Sequence, residues 1–335
     1  PKLGLWYEKL AQVNAWQADV DARWLSLVAV EALSTPSADQ RQVLAQGRQK
    51  LPAPSRVRLG GDAREALRGT ARPGTEPADV LGGPLHELWL AISPAVQVAT
   101  GVDIGKLGFS RGDRIAMKKL GDRYEPLVTA LTAFNVDDVD IYINAGRTGM
   151  ARALAADTPI LCLGADVAAA STPQTRFSLG RVVATVAEGV AALPHLRDGE
   201  LAWTIAAALR AVDAPLPPAL ADQVAGEDNS IAERAKLLKK ELGRRAKATV
   251  LELARSKPDD IVAVDALRRA AIAVAWRAGL LWCGDLAVAL AVLDVGKGGR
   301  ALMDSQPALD LTAWSVSDAH LALRELVGMT LRGMR

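Results

Sequence analysis

The apolar segment between Thr172 and Gly189 constrains the fold more than any other stretch of the chain. Thr172 can accept hydrogen bonds as a helix N-cap, Pro173 suits the first helical position, and Gly189 lies near the expected end. Most side chains between them are apolar, and a helix with so little polar surface belongs in the interior. A short apolar run, 159–164, precedes it and predicts a strand. We therefore expect a strand, a short connection and a buried central helix.

Composition favours helices for most of the remaining chain. Half of the 335 residues are hydrophobic, yet only three Phe and three Tyr are present, and Ala and Leu are prominent. Such a chain can bury a large core. A run at 139–144 alternates as a half-buried strand does. The sequence therefore predicts a mostly helical α+β fold with a small sheet that contains 139–144 and 160–163.

The chain divides into three parts. The segment 3–33 has the apolar pattern of a helical hairpin, and another helix is expected over 37–50. Residues 51–84 are rich in Pro and Gly and predict a linker with one helical turn. We therefore predict a helical part at 1–50, this linker, and a main domain at 85–335.

The central helix carries the first half of a family resemblance. The strand–helix unit with Arg-Phe at 176–177 and Leu-Gly at 179–180 resembles the core of gluzincin-type zinc metallopeptidases. That group includes the bacterial heat-shock membrane protease and the prenyl-protein protease, whose helix continues with His-Glu-x-x-His. Here Arg181, Val182 and Thr185 occupy the positions of the first His, the Glu and the second His. Two imidazoles and a general base are therefore replaced by side chains unsuited to zinc chemistry.

A downstream segment carries the second half. Residues 272–280 fit the frame Glu-x-x-Ala-Asp-Arg-Ala-Gly-Leu, which holds the third zinc ligand in this group, but Ile272 stands at the Glu and Trp276 at the Asp. The resemblance spans 139–293. It implies a zincin-like core with no metal, no cofactor and no catalytic residues, whose interior is filled by Val182, Ile272 and Trp276.

The N-terminal hairpin resembles a tetratricopeptide unit at Tyr7, Leu10, Ala11 and Ala22. Two interpretations stay open: a degenerate repeat unit, or plain helices that pack on the main domain. The whole layout resembles the C-terminal region of certain large bacterial tetratricopeptide-repeat proteins that carry such a metal-free domain. Since the chain begins at Pro1 rather than Met, we expect it to be part of something longer.

These observations predict a pseudo-metallopeptidase that is not an enzyme and acts as a protein–protein interaction or scaffold domain. Arg181 is the best single candidate for binding, because a guanidinium on an apolar helix needs a partner. It either lies on the floor of a cleft and holds a carboxylate or phosphate, or is bound internally to an acid or carbonyls. We expect the internal arrangement. A hydrolase with a relocated active site is the alternative function.

A second alternative rests on one long helix expected over 229–256, whose basic part spans 230–256. Its candidate binding residues are Arg234, Lys239, Lys240, Arg244 and Arg245. They suit an acidic partner or nucleic acid. Because no aromatic residue interleaves the charges, a solvated helix face is the favoured interpretation.

Charge and cysteine usage restrict the surroundings. Forty basic and thirty-eight acidic residues give a net charge of +2, which predicts no strong attraction to nucleic acid or anionic membranes. Cys162 and Cys283 lie in apolar segments and predict buried free thiols, as in a reducing, cytoplasmic compartment. No apolar run is long enough to span a bilayer. The three histidines have no ligand spacing, so no metal site is predicted.

Overall fold

The computed structural model describes residues 2–69, 80–170, 172–197, 199–293 and 305–331. These residues form a mostly helical α+β fold around one small mixed sheet, which confirms the predicted fold class at that level. The helices, numbered in chain order, are α1 (Lys2–Trp16), α2 (Val20–Leu33), α3 (Ala38–Lys50), α4 (Gly61–Arg68), α5 (Pro84–Thr100), α6 (Glu125–Ala133), α7 (Ala165–Ala168), α8 (Pro173–Ala187), α9 (Glu200–Ala211), α10 (Pro218–Gln223), α11 (Asp228–Glu241), α12 (Arg244–Ser256), α13 (Val264–Cys283), α14 (Leu286–Leu293), α15 (Gln306–Trp314) and α16 (Asp318–Leu326).

The four-stranded sheet contains both predicted strands at its centre. Its order is β1-β2-β4-β3, where the strands are β1 (Arg114–Ile115), β2 (Asp140–Asn144), β3 (Ala151–Leu154) and β4 (Ile160–Gly164). The predicted strands β2 and β4 pair in parallel, and β1 and β3 pair antiparallel at the edges. The sequence pattern does not predict β3, because Ala-Arg-Ala-Leu contains no β-branched or aromatic side chain.

Helix α8 is the predicted central helix. The Thr172 hydroxyl accepts a hydrogen bond from the Thr175 backbone N–H, and the Thr175 hydroxyl accepts one from the Thr172 N–H. This capping box satisfies two N–H groups that a helix start otherwise leaves open. Gly189 follows the helix at φ +64°, a conformation that costs glycine little. The N-cap and the end predicted from the sequence are therefore confirmed.

Two glycines allow α8 and α13 to pack closely. A Cβ on Gly180 would lie 2.6 Å from the Cβ of Trp282 and 2.7 Å from the carbonyl oxygen of Ala278. A Cβ on Gly279 would lie 2.7 Å from the ring of Phe177. No larger side chain fits at either position without moving a helix, so these residues fix how the two helices cross.

The N-terminal helices share an apolar core with the rest of the chain. α1 and α2 form the predicted hairpin. Asp21 on α2 accepts a hydrogen bond from the Leu331 N–H at 2.8 Å and lies 3.7 Å from the Arg324 guanidinium. Arg48 on α3 forms an ion pair with buried Asp285 at 2.6 Å. Polar contacts therefore connect both ends of the chain inside the fold.

The prediction of one long basic helix over 229–256 is wrong. The structure has two helices, α11 and α12, which are separated at Leu242 and Gly243. Leu242 is the C-cap of α11. Its backbone is extended, with ψ 118°, and its side chain is buried. Gly243 is the N-cap of α12, with ψ 164°. The apolar pattern of each helix is regular by itself, so periodicity alone does not reveal the break.

The predicted linker is partly structured. It contains α4, whose eight residues exceed the single turn expected there, while 70–79 lie outside the described residues, as does a Gly-rich stretch at 296–299. Arg68 at the end of α4 forms an ion pair with buried Glu188 at 2.6 Å. The linker is thus fastened to the end of α8. Within the described ranges, no helix combines the length and apolarity needed to cross a bilayer.

Candidate functional site

A cleft of about 270 Å³ opens beside the central helix. Its walls are the edge strand β3, one face of α8, one face of α13 and the turn at 190–195. Loop segments and an edge strand thus meet two packed helices, which is a common setting for binding sites. The cleft is the candidate functional site, because it also contains the positions that the family resemblance singles out.

All of the degenerate motif positions lie in this one cleft. Arg181, Val182 and Thr185 of α8 line it together with Ile272 and Trp276 of α13. The prediction that Val182 and Ile272 lie on helices packed together near Trp276 is therefore confirmed. The expectation that these side chains fill the interior is confirmed for Val182, which is buried, but is wrong for Ile272 and Trp276. Ile272 and Trp276 are only half-buried, because they form the walls of a space that remains open.

Arg181 lies half-buried in the cleft, and none of the described residues pairs with its side chain. Within the described ranges, its guanidinium has neither a carbonyl acceptor nor an acidic neighbour. Loss of solvent, followed by the nearby charge of Arg152, lowers its pKa from the usual value. The expected internal partner is thus not found in the part of the chain that the structure describes, and Arg181 faces the cleft with free donors.

Further cations join Arg181 from different elements. Arg152 is exposed on β3, and Arg268 lies on α13, four positions before Ile272. An N–H of Arg268 donates to the carbonyl of Arg197 at 3.1 Å, which anchors that side chain at the rim. Sequence reasoning misses Arg152 because β3 itself is not predicted. The helical spacing of Arg268 and Ile272 is a signal that would have placed Arg268 on the same face.

His195 adds a neutral polar group to the cleft. Its Nε2–H donates to the carbonyl oxygen of Ala153 at 2.9 Å, because only the protonated nitrogen can bond to a carbonyl. Burial, and after it the charge of Arg152, lowers the pKa of His195, so the ring is neutral near pH 7. This contact also occupies a backbone group on the outer edge of β3. The Gln97 side chain occupies the next one, at the Ala155 N–H.

The chemistry available in the cleft is recognition rather than catalysis. The described lining residues include arginines and a histidine but no carboxylate or thiol. The Thr185 hydroxyl donates to the Arg181 carbonyl at 2.8 Å and is thereby held inside its own helix. No described pair of lining side chains forms a nucleophile with its base. The arrangement suits an anion, which guanidinium groups bind through paired N–H donors.

The basic residues of α11 and α12 do not form one surface. Arg234 stacks 4.8 Å from the ring of Trp203 and lies 3.8 Å from Glu200, with only 11 % of its side chain exposed. Lys239 pairs with Asp213 at 3.6 Å. Lys240 and Arg244 are exposed, and Arg245 lines a different cavity of about 580 Å³ beside Glu87, Asp157 and Glu241.

The thiols and histidines do not assemble a metal site. Across the described residues, no group of three or more His, Cys, Asp or Glu side chains is placed to hold an ion. Cys162 and Cys283 are buried free thiols, as predicted, and burial raises the pKa of each to about 12. Such thiols are poor ligands and nucleophiles at neutral pH. The absence of a resident metal stays a prediction.

Comparison with protein families, with curated proteins and with solved structures gives no match for this chain. The resemblance to gluzincin-type peptidases therefore stays a prediction that rests on the quoted residues. The geometry of the cleft is independent of that resemblance, since it follows from the packing of α8, α13 and β3.

Proposed function

We propose that this chain is a non-catalytic binding domain, a pseudo-metallopeptidase whose cleft holds an anionic group of a partner protein. One observation carries the proposal. Arg181 lies in the cleft with no acceptor among the described residues, beside a second arginine, Arg152. A half-buried guanidinium that lacks a partner is unfavourable by itself, and an incoming anion supplies the missing hydrogen bonds.

The family resemblance supports the same site. In the peptidases that the chain resembles, the corresponding helices bring the zinc ligands together, and here the corresponding residues Arg181, Thr185 and Ile272 share one cleft. Guanidinium, hydroxyl and alkyl groups in those places replace metal binding by charge recognition. The proposed role is therefore a scaffold or interaction role within a larger cytoplasmic assembly.

The alternatives have less support. A hydrolase with a relocated site requires a nucleophile or metal with a base, and the described residues of the cleft contain none. A nucleic-acid surface on 230–256 requires a continuous basic stripe, but Arg234 is packed against Trp203 and Lys239 is paired. Exposed Arg245 lies beside Glu87, Asp157 and Glu241, so acidic side chains interrupt the positive charge there.

Binding of the purified chain to an array of synthetic peptides tests the proposal. The peptides carry carboxylate or phosphorylated side chains in otherwise varied contexts. We expect binding to concentrate on anion-bearing peptides, to fall in Arg181→Leu and to persist in Arg210→Gln. Arg210 is exposed on α9, outside the cleft, and controls for loss of one positive charge. Equal binding by wild type and Arg181→Leu would refute the site.

Metal analysis tests the non-catalytic part separately. We expect the protein purified without chelators to contain far less than one zinc ion per chain, since the cleft offers no carboxylate or thiolate among its described residues. Stoichiometric zinc, or peptide hydrolysis that a chelator abolishes, would overturn the pseudoenzyme proposal while leaving the anion site open to the peptide test.

A further inference from the structure

The positive charges of the cleft are best neutralised by a ligand that carries more than one negative charge. Arg152 and Arg181 project into the same space from β3 and α8, and no described lining residue is acidic. A single carboxylate bound between two guanidiniums leaves one positive charge uncompensated. A phosphomonoester carries between about −1.5 and −2 at pH 7 and has three acceptor oxygens. It can therefore accept hydrogen bonds from both arginines at once.

A third arginine, Arg268, also lines the cleft. An N–H of the Arg268 guanidinium donates to the Arg197 carbonyl at 3.1 Å, which holds this third positive charge beside the cleft. The cationic part of the cleft is thus assembled from β3, α8 and α13 before any ligand arrives.

The remaining walls are apolar. Val182, Ile272, Ala275 and Trp276 line the cleft below and beside the arginines. Ile272, Ala275 and Trp276 are half-buried, so a ligand that covers them removes apolar surface from water. Inorganic phosphate cannot cover them, whereas an alkyl or aromatic group attached to the phosphate can. The indole of Trp276 also suits contact with an aromatic ring.

The size of the cleft limits the ligand. Its volume of about 270 Å³ lies just below the roughly 300–1,000 Å³ of sites that hold drug-sized molecules. One side chain fits, and a folded surface element does not. Strand addition along β3 is restricted as well, because His195 and Gln97 already occupy outward-facing backbone groups of Ala153 and Ala155.

Resting on the function proposed above, we infer that the anionic group is a phosphomonoester on an apolar aromatic stem, which in a protein partner is a phosphotyrosine side chain. Its phosphate binds Arg152 and Arg181, and its ring lies against Ile272 and Trp276. Small aryl phosphates share this chemistry and are the other source of such a ligand.

Three small probes distinguish the contribution of the phosphate charge to binding from that of the aromatic stem. Phenyl phosphate, benzoate and inorganic phosphate are titrated into the intact chain by calorimetry at about pH 7.5 and equal ionic strength, because screening affects the anions differently. We expect phenyl phosphate to bind at least about tenfold more tightly than either other probe. Benzoate binding as tightly overturns the phosphate assignment. Inorganic phosphate binding as tightly overturns the aromatic stem. No binding of any probe overturns both.

Two cleft variants act on different halves of the ligand. Arg152→Gln changes an exposed side chain, so folding is preserved, and we expect it to weaken phenyl phosphate by about tenfold and benzoate by much less. Ala275→Leu adds bulk to the apolar wall of the cleft. We expect it to weaken the binding of phenyl phosphate and to leave the binding of inorganic phosphate unaffected. Arg210→Gln is the control and should bind like wild type. Equal effects of both variants on all probes would contradict the proposed orientation.

Peptides identify the source. A phosphotyrosine peptide is compared with its phosphoserine, tyrosine and glutamate versions and with phenyl phosphate. We expect the phosphotyrosine peptide to bind most tightly and the tyrosine peptide not to bind. If phenyl phosphate binds as tightly as the peptide, the ligand is a small molecule and the protein source is refuted. If the glutamate peptide binds equally well, the phosphate assignment fails, but the proposed anion-binding function stands.

Discussion

Half-buried Arg181 differs from the buried arginines Arg277 and Arg324, because no residue in the described part of the chain accepts a hydrogen bond from its side chain. The Arg277 guanidinium donates to the Leu67 carbonyl at 2.9 Å, and it also bonds to the Gly69 carbonyl and lies over the ring of Trp314. Fully buried Arg324 lies near Asp21. Proteins rarely leave a buried cation unpaired, because the desolvation penalty is several kcal/mol. The free guanidinium of Arg181 is therefore better explained by an external ligand than by the needs of the fold.

Replacing Arg181 by Leu tests this contrast. We expect the free energy of unfolding to change by less than about 0.5 kcal/mol or to rise, since no internal hydrogen bond is lost. Chemical unfolding followed by circular dichroism measures it. The matched control is Arg68→Leu, which leaves the buried Glu188 carboxylate unpaired and should cost about 3 kcal/mol. A comparable loss in Arg181→Leu would show that Arg181 has a structural role.

His320 gives the fold a dependence on pH. Its ring is fully buried, its Nδ1–H donates to the Ser315 carbonyl at 2.7 Å, and it stacks on Trp314. Burial, followed by the charge of Arg324, lowers its pKa from 6.5 to about 3. The unfolded chain therefore binds a proton below pH 6.5 that the folded chain does not. The stability from neutral His320 is fully present above that pH and is lost as the pH falls toward 3.

We expect this loss to reach about 1.4 kcal/mol per pH unit between pH 6 and pH 4. The comparison is with His320→Asn, whose amide can still donate to Ser315 but does not titrate. Urea unfolding of both proteins at several pH values should show the stability of wild type approaching that of the variant as the pH falls. A difference that stays constant across this range would mean that His320 does not titrate as the burial predicts.

At the level of elements, the crossing of α8 and α13 positions the site. Gly180 and Gly279 fix the distance between the helices. Arg181 follows Gly180 directly, Trp276 lies three residues before Gly279, and both line the cleft. The two glycines belong to the segments that resemble the peptidase frame. Because a Cβ at either position would clash with the other helix, the packing of α8 against α13 depends on both glycines.

Gly180→Ala should therefore destabilise the protein by about 2 kcal/mol or more, because the new methyl group meets the Ala278 backbone as well as Trp282. The control is Gly61→Ala in α4, where a Cβ meets nothing within 4 Å. It should be neutral or slightly stabilising, since Ala loses less backbone freedom than Gly. Thermal unfolding of both variants checks the pair. A neutral Gly180→Ala would show that the crossing tolerates a wider spacing.

At the scale of the whole molecule, buried polar contacts hold the two ends of the chain together. Arg324 is fully buried, lies 5.5 Å from the Trp24 ring and donates to the Gly284 carbonyl at 3.3 Å. Asp21 from α2 lies 3.7 Å from this cation, and Asp285 adds a weaker attraction. The predicted division at 51–84 stays a prediction, but these contacts lead us to expect that 1–50 unfolds together with the rest.

Asp21→Asn should lower the free energy of unfolding by about 3 kcal/mol, because it removes the ion-pair partner of the buried Arg324 charge. The amide oxygen can still accept from the Leu331 N–H, so the effect isolates the charge. The control is Asp213→Asn, whose ion pair with Lys239 is exposed and should contribute little. Coincident loss of helix signal and tryptophan fluorescence would support one cooperative unit. Separate transitions would favour the predicted division.

The local elements were readily predictable because their signals are local. A capping threonine and a proline mark the start of α8, and alternation marks β2. The predictions failed where local signals are weak: β3 forms because β4 offers it a partner, and the break between α11 and α12 at Leu242 and Gly243 does not show in the apolar periodicity. For the site, the sequence indicated Arg181, Thr185 and Ile272 but not Arg152 or His195, which come from β3 and a turn.

The sequence by itself determined the helical class and the central strand–helix unit, since side-chain chemistry and periodicity are properties of short segments. Only the tertiary structure decided whether Arg181 has a partner inside the fold. A guanidinium is satisfied or not according to which distant atoms surround it, and here the packing of α8, α13 and β3 surrounds it with other cations and apolar walls. That arrangement leaves an open cleft where the sequence predicted a closed interior.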